Sequence, residues 1–242
     1  MYFDKNAALT LAEGKSVVHG TQIEVVVLYA DIRGFSTWSQ TATLESVADF
    51  LQIQYERAAQ MLNDFHPAFM KLLGDGFLLV WETDGEMALD VNLRHALDAA
   101  HEVHLKYFYV AKDLDYKVPK GYGVGLSIGV AIKVQPETIL KELNEIDVVG
   151  YPLNCGARMQ ELSGPYGVTL CSTTVSHILR NPEGFLYPGV PGFTRVLHKP
   201  TLTALAKAAG MNGLKADDQT DFRHLTFPAT QKALWGADEI VQ

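Results

Sequence analysis

The stretch Gln22 to Ala30 (QIEVVVLYA) constrains the fold more than any other part of the chain. It is rich in β-branched residues, which suits a strand buried at the centre of a sheet. A long helix is expected next, over Leu44 to Phe65. Its apolar positions Leu44, Val47, Ala48, Leu51, Tyr55, Ala58 and Leu62 recur every three or four residues, and Pro67 ends it. Two short apolar runs, Ala68 to Leu73 and Phe77 to Trp81, flank Gly74-Asp75-Gly76. That pattern predicts a hairpin, because glycines supply the positive φ of a tight turn.

A second helix is expected from about Asp84 to Ala111, and a second buried strand over Gly123 to Val134 (GVGLSIGVAIKV). The glycines of that strand do not make a dinucleotide fingerprint, since no helix opens after Gly125. A helix over Pro152 to Leu162, with proline at an early position, precedes a strand over Gly167 to Cys171 and a short helix over Thr173 to Leu179. The order is that of an α+β fold with a ferredoxin-like βαββαβ core, an antiparallel-dominated sheet with helices on one face. From Asn181 the texture changes to a loop marked by Pro182, Pro188, Gly189, Pro191 and Gly192. A short helix over Thr201 to Ala209 and an edge strand over Phe222 to Phe227 are expected to follow. The reading is one domain over residues 1–180, with residues 181–242 as a C-terminal extension packed on it.

Charge narrows the function. The chain has 242 residues and a formal net charge of −8, with no run of lysine or arginine, so a nucleic-acid backbone is a poor partner. No apolar run reaches membrane-spanning length; Val25 to Ala30 is six residues. Residues 1–20 carry Asp4 and Glu13 and no apolar segment typical of a signal peptide. Two cysteines, Cys155 and Cys171, make no disulfide framework, which fits a reducing, cytoplasmic setting.

Two aspartates sit at adjoining ends of this pattern. Asp31 ends the first strand and Asp75 occupies the hairpin turn. Two carboxylates held close repel each other unless a cation lies between them, and hard oxygen ligands suit Mg²⁺ or Mn²⁺. Helix capping by Asp31 and an ordinary Asp-Gly turn at Asp75 would explain the two residues equally well. A third segment adds Asp147, Asn154 and Arg158. Asn154 and Arg158, four apart, share a helix face, and a guanidinium beside a core wants an anionic partner such as phosphate.

Taken together, the three segments resemble the class III nucleotide cyclases, the adenylate and guanylate cyclase catalytic domain. The first segment of that family reads like Phe-Ala-Asp-Ile-x-Gly-Phe, and here Tyr29-Ala30-Asp31-Ile32-Arg33-Gly34-Phe35 stands in its place. The second reads like Lys-x-x-Gly-Asp, matched by Lys71 to Asp75. In the third, Asp147, Gly150, Asn154 and Arg158 match, with Leu153 where the family has valine. The resemblance spans about residues 20–180.

It implies an enzyme, a lyase that closes a nucleoside triphosphate into a 3′,5′-cyclic nucleotide and pyrophosphate. Asp31 and Asp75 would hold two Mg²⁺ or Mn²⁺ ions, with the Ile32 carbonyl as a further ligand. Backbone N–H groups of Ile32, Arg33, Gly34 and Phe35 would cradle the phosphates, with Arg33 optional in the motif and expected to face solvent. Arg158 would neutralise charge on the α-phosphate, Asn154 would orient the ribose, and Lys71 and Asp147 would read the base. The family builds its sites between two catalytic domains, which implies a homodimer, with Asp31 and Asp75 of one chain opposite Lys71, Asp147, Asn154 and Arg158 of the other. Lys199 is a weak candidate for a further phosphate-binding lysine.

Lys71 and Asp147 look like an adenine-reading pair, which favours ATP over GTP. Their hydrogen-bonding pattern also fits cytosine and uracil. The short format resembles the pyrimidine cyclases of Pycsar anti-phage defence, which signal to a separate cyclic-nucleotide effector. A nucleotide-binding pseudocyclase is the further alternative. His95, His101 and His104 lack zinc spacing and are expected on a solvated helix face; Cys155, Trp38 and Trp81 are expected to pack.

Overall fold

The computed structural model describes residues 8–11, 16–137, 146–180, 196–198, 214, 215, 217 and 223–226. Its strands are β1 (Ala8–Leu11), β2 (Ser16–Ile32), β3 (Phe69–Leu73), β4 (Gly76–Thr83), β5 (Tyr122–Glu137), β6 (Asp147–Val149), β7 (Gly167–Leu170), β8 (Val196–His198) and β9 (Arg223–Thr226). Its helices are α1 (Phe35–Ser39), α2 (Leu44–Phe65), α3 (Glu86–Asp113), α4 (Tyr151–Leu162) and α5 (Ser172–Arg180).

One sheet runs in the order β3-β4-β2-β5-β7-β9-β8, with β1 paired to β2 and β6 to β5. The first four positions are the expected ferredoxin-like arrangement, antiparallel throughout. β7 joins β5 in parallel, and β9 joins β7. Within the expected extension, the strand foreseen over Phe222 to Phe227 is β9, but it is not the expected edge strand: it lies between β7 and β8. The loop from Asn181, the helix over Thr201 to Ala209 and Lys199 lie outside the described residues.

Alternation along β2 sorts the core. Val26, Leu28, Ala30 and Ile32 face one way, into a cluster with Phe50, Ala58 and Met61 of α2 and Leu93, Leu97, Ala100 and Val103 of α3. Val175 and Ile178 of α5 join that layer, which is the helical face the sequence predicts. Ile23, Val25 and Val27 face the opposite way, toward Leu153 of α4. A helix on this second face is an addition to the expected layout.

What lets α4 lie there is a run of small residues on β5. Every second residue, Gly123, Gly125, Ser127 and Gly129, faces α4. A Cβ at Gly125 would collide with the Gly156 carbonyl and the Gln160 amide, and one at Gly129 would stand 3.0 Å from Pro152. Ser127 Oγ donates to the Pro152 carbonyl at 2.5 Å, and Gly156 in turn leaves room for Tyr29 and Val27. The helix therefore rests on strand backbone.

The packing residues behave as expected. Trp38 and Trp81 are buried, with Trp81 Nε1 donating to the Phe65 carbonyl at 2.7 Å, and Cys155 packs with Met159, Cys171 and Leu214. The histidines of α3 need a correction. His104 is fully buried, its ring 5.8 Å from that of Tyr166, because α3 is enclosed along most of its length. No group of three or more metal-ligating side chains occurs among the described residues, and none of their helices is long and apolar enough to cross a membrane.

The bed under α4 gives a stability test. Gly125→Ala must push α4 off β5 and should cost about 3 kcal/mol in denaturant unfolding. Gly164→Ala, where a Cβ meets nothing within 4 Å, should stay within about 0.5 kcal/mol of wild type. Equal midpoints for the two variants would mean that α4 is not seated on the glycines.

Candidate active site

β2 delivers Asp31 to the α4 face, two residues beyond Tyr29. Asp31 stands opposite Gly123 of β5, and Ala30 stands opposite Phe77 of β4. The tight turn of the β3–β4 hairpin brings Asp75 to the same corner. Gly74 takes the left-handed φ of 72°, and Tyr55 of α2 donates to its carbonyl at 2.9 Å. A Cβ at Gly76 would lie 2.5 Å from the Ala30 carbonyl oxygen and 3.1 Å from Asp31 Oδ1, so the turn is pressed against the end of β2.

The corner is electrostatically unsettled. Burial pushes the Asp31 carboxyl above its ordinary range; Arg33 and a hydrogen bond from Gln160 pull it back, and Glu161 pushes it further up. Asp75 is also raised, first by burial and then by the charge of Asp31. A carboxylate raised by burial and by the charge of a second one is a fit for a hard divalent cation, which would relieve burial and repulsion together.

The loop after Asp31 is more committed than the sequence suggests. Ile32 is buried and still paired with Tyr122. The Arg33 amide donates to the Gly121 carbonyl at 2.8 Å, and the Arg33 carbonyl accepts from Lys120 at 2.9 Å. Gly34, with φ 79°, opens α1, and the Phe35 ring stacks 6.4 Å from Phe50. The Arg33 side chain does not face solvent. Its Nε donates to the Ser163 carbonyl at 2.9 Å, its Nη2 to the Gln160 carbonyl, and its Nη1 stands 3.7 Å from Asp31 Oδ2.

A second cluster lies on the same sheet face. Lys71 stands opposite Leu78, which stands opposite Tyr29, itself opposite Gly125. β6, a three-residue strand absent from the sequence reading, pairs with β5 and carries Asp147. Lys71 Nζ meets Asp147 Oδ2 at 3.1 Å, both side chains being about half exposed. Tyr29 is close enough that Asp147, after burial, raises its phenol. Asn154 and Arg158 occupy the exposed side of α4, where Arg158 Nη1 donates to both Glu161 oxygens at 2.7 and 2.9 Å.

The fold thus brings Asp31 to Asp75 and Lys71 to Asp147, and sets Asn154 and Arg158 on one helix face. The sequence reading missed Tyr29, Gln160 and Glu161. Glu161 continues the spacing of Asn154 and Arg158 along α4 and was findable; Gln160 carries no sequence signal.

The Adenylate and Guanylate cyclase catalytic domain model matches residues 17–188. The chain belongs to that family. It is a class III nucleotide cyclase, a nucleotide-binding lyase domain, and the curled sheet with its helices is that of the cyclase catalytic fold. No curated protein matches its sequence. Solved structures match its fold at low identity. The adenylyl cyclase CyaB from P. aeruginosa is 13% identical, with TM-score 0.65, over 86% of this chain and 95% of that one. The guanylyl cyclase Cya2 is 17% identical, with TM-score 0.58, over 85% and 91%. The guanylate cyclase domain of RhGC from Catenaria anguillulae, solved in complex with GTP, is 17% identical, with TM-score 0.54, over 86% and 99%.

The repulsion between the two cyclase aspartates predicts opposite effects on stability and metal response. Without divalent metal, Asp75→Asn should raise the melting temperature by about 2 °C, since it removes a half-buried like charge. Mn²⁺ at a hundred times its dissociation constant should stabilise wild type by about 2.7 kcal/mol and leave the variant unmoved. A calorimetric scan showing a destabilised variant, or one that gains as much from Mn²⁺, would refute the pairing.

Proposed function

We propose that this cyclase acts as a homodimer with two composite sites, taking ATP as the favoured substrate and releasing cyclic AMP and pyrophosphate. The observation that carries the reading is the Lys71–Asp147 pair at 3.1 Å, on the sheet face that also holds Asp31 and α4. A lysine beside an aspartate offers a donor to adenine N1 and an acceptor to its N6 amine. Apolar residues left exposed around the pair, Leu72, Leu73, Ile146 and Val149, support a partner surface there.

The chemistry assigned to the chain is an internal displacement. The ribose 3′-oxygen forms a bond to the α-phosphorus, the bond from that phosphorus to the oxygen bridging to the β-phosphorus breaks so that pyrophosphate leaves, and the 3′-hydroxyl proton passes to solvent water. Asp31 and Asp75, with the Ile32 carbonyl, would hold two Mg²⁺ or Mn²⁺ ions. Such ions, when bound, lower the pKa of the 3′-hydroxyl and stabilise the leaving pyrophosphate. Arg158 exchanges its Glu161 partner for the α-phosphate oxygens, and Asn154 holds the ribose so that the 3′-oxygen lies in line. The Gly34 and Phe35 amides, at the start of α1, face the triphosphate.

A second reading is supported by Tyr29, where the family motif has phenylalanine. Its hydroxyl enters the field of Asp147, adding bulk and a polar group beneath the base position, which suits a smaller pyrimidine. UTP or CTP would then give cyclic UMP or cyclic CMP for a separate effector, as in Pycsar defence. A pseudocyclase would bind triphosphate with no product.

Purified protein with Mn²⁺ and each of the four triphosphates, with the products identified by mass, separates these readings. Cyclic AMP as the main product is expected; only a pyrimidine product installs the second reading, and binding without pyrophosphate installs the third. Lys71→Ala and Asp147→Ala should raise KM about tenfold and flatten base preference, with a smaller change in kcat. An unchanged ratio among the four substrates would remove these residues from base reading.

Composite sites predict complementation. Asp31→Ala and Arg158→Ala should each be nearly inactive alone. After subunit exchange, mixed dimers carry one site with both lesions and one with neither, so an equal mixture should recover roughly a quarter of wild-type activity. No recovery, with exchange shown independently, places each site within one chain.

A further inference from the structure

Arg33 is held by more of the fold than a phosphate-facing or solvent-facing arginine would be. Its guanidinium lies across the C-terminal turn of α4, donating to the carbonyls of Gln160 and Ser163. That turn carries no basic residue of its own. A helix C-terminus presents unpaired carbonyls and partial negative charge, so a cation from another element is the fitting cap. The strand beneath makes room for it. A Cβ at Gly123 would lie 2.5 Å from Arg33 Nε and 2.8 Å from the Ser163 carbonyl oxygen. The remaining edge of the fork faces Asp31 at 3.7 Å, and Asp31 Oδ2 also accepts from Gln160 Nε2 at 3.2 Å. The side chain of Arg33 is only 21% exposed.

We propose that Arg33 is a positioning residue of the cyclase reaction: seated on the Gly123 backbone, it locks the Asp31 carboxylate to the end of α4 and so fixes the metal-binding corner relative to Asn154 and Arg158. The assignment rests on the proposed two-metal reading. It differs from a substrate contact, because the donors of the guanidinium are directed at protein oxygens. In a dimer with composite sites, Asp31 serves one site and α4 of the same chain serves the other, so the lock sets the spacing between the two half-sites that each chain contributes.

The two roles respond differently to lysine. Lysine is a good phosphate ligand and would rescue a phosphate contact, whereas one ammonium cannot reproduce the planar fork that bridges two carbonyls and a carboxylate. Arg33→Lys should lower kcat and Mn²⁺ affinity by about 10–100-fold, with KM for the triphosphate changed less than about threefold. Gly123→Ala keeps every charge and displaces the guanidinium, and should reproduce the same split; adding it to Arg33→Lys should cost little more. Mn²⁺ affinity is read by electron paramagnetic resonance on folded protein without nucleotide, and kinetics by cyclic product.

Rescue by lysine, a loss confined to KM, or equal Mn²⁺ binding by wild type and variant, none included, would overturn the assignment. A wild type that makes no cyclic product from any of the four triphosphates would overturn the cyclase reading. Mn²⁺ bound by that wild type and lost in Arg33→Lys would still uphold the lock. If Arg33→Lys does not fold, Gly123→Ala decides between the same outcomes.

Discussion

The close approach of α4 to β5 is the constraint on which the site depends. A helix packed on a sheet through ordinary side chains stands about 10 Å away. Here the facing residues of β5 are Gly123, Gly125, Ser127 and Gly129, and the helix answers with Gly156, so backbone meets backbone. The consequence reaches beyond stability. Only at this separation can Gln160 Nε2 reach Asp31 and the Arg33 fork span from Asp31 to the last turn of the helix. Larger residues on β5 would leave the aspartates in place and carry Asn154 and Arg158 away from them.

That constraint also explains what was legible in the sequence. The long helices and the hairpin could be read because their signals are local. The spacing of Leu44 to Leu62 gives α2 at its observed bounds, and Gly74-Asp75-Gly76 gives the turn. The glycines of β5 were visible but ambiguous. Their period of two makes sense only once a helix is known to lie on that face, and nothing local announces the helix's side. β6 escaped because three residues carry no pattern, although it delivers Asp147. His104 was misplaced for a related reason: which face of α3 meets Tyr166 is a tertiary fact.

The candidate site divides along the same line. Asp31, Asp75, Lys71, Asp147, Asn154 and Arg158 were found through three motifs in register, a resemblance that needs no geometry. The groups that hold them were not. Gln160 looks like any helical glutamine, and Arg33 was expected in solvent because the motif tolerates it. Its partners are backbone carbonyls 127 and 130 residues away, and a carbonyl has no sequence signature.

The polar pairs at the site differ in how readily they can be exchanged. Lys71–Asp147 and Arg158–Glu161 are about half exposed, and such pairs hold by up to about 1 kcal/mol. A base edge can satisfy both Lys71 and Asp147, whereas a phosphate can take only Arg158 and leaves the exposed Glu161 carboxylate to water, so either exchange costs little. The Arg33 contacts are more enclosed: the Gln160 carbonyl also accepts from the Ser163 amide at 3.0 Å, but breaking the bond to the Ser163 carbonyl would weaken the satisfaction of a buried acceptor, at about 1–3 kcal/mol. Binding energy from a triphosphate would therefore rearrange the outer pairs and leave the inner lock intact. On the proposed roles of Lys71, Asp147 and Arg158, the outer pairs would keep these groups occupied between turnovers while the distance from Asp31 to α4 stays fixed.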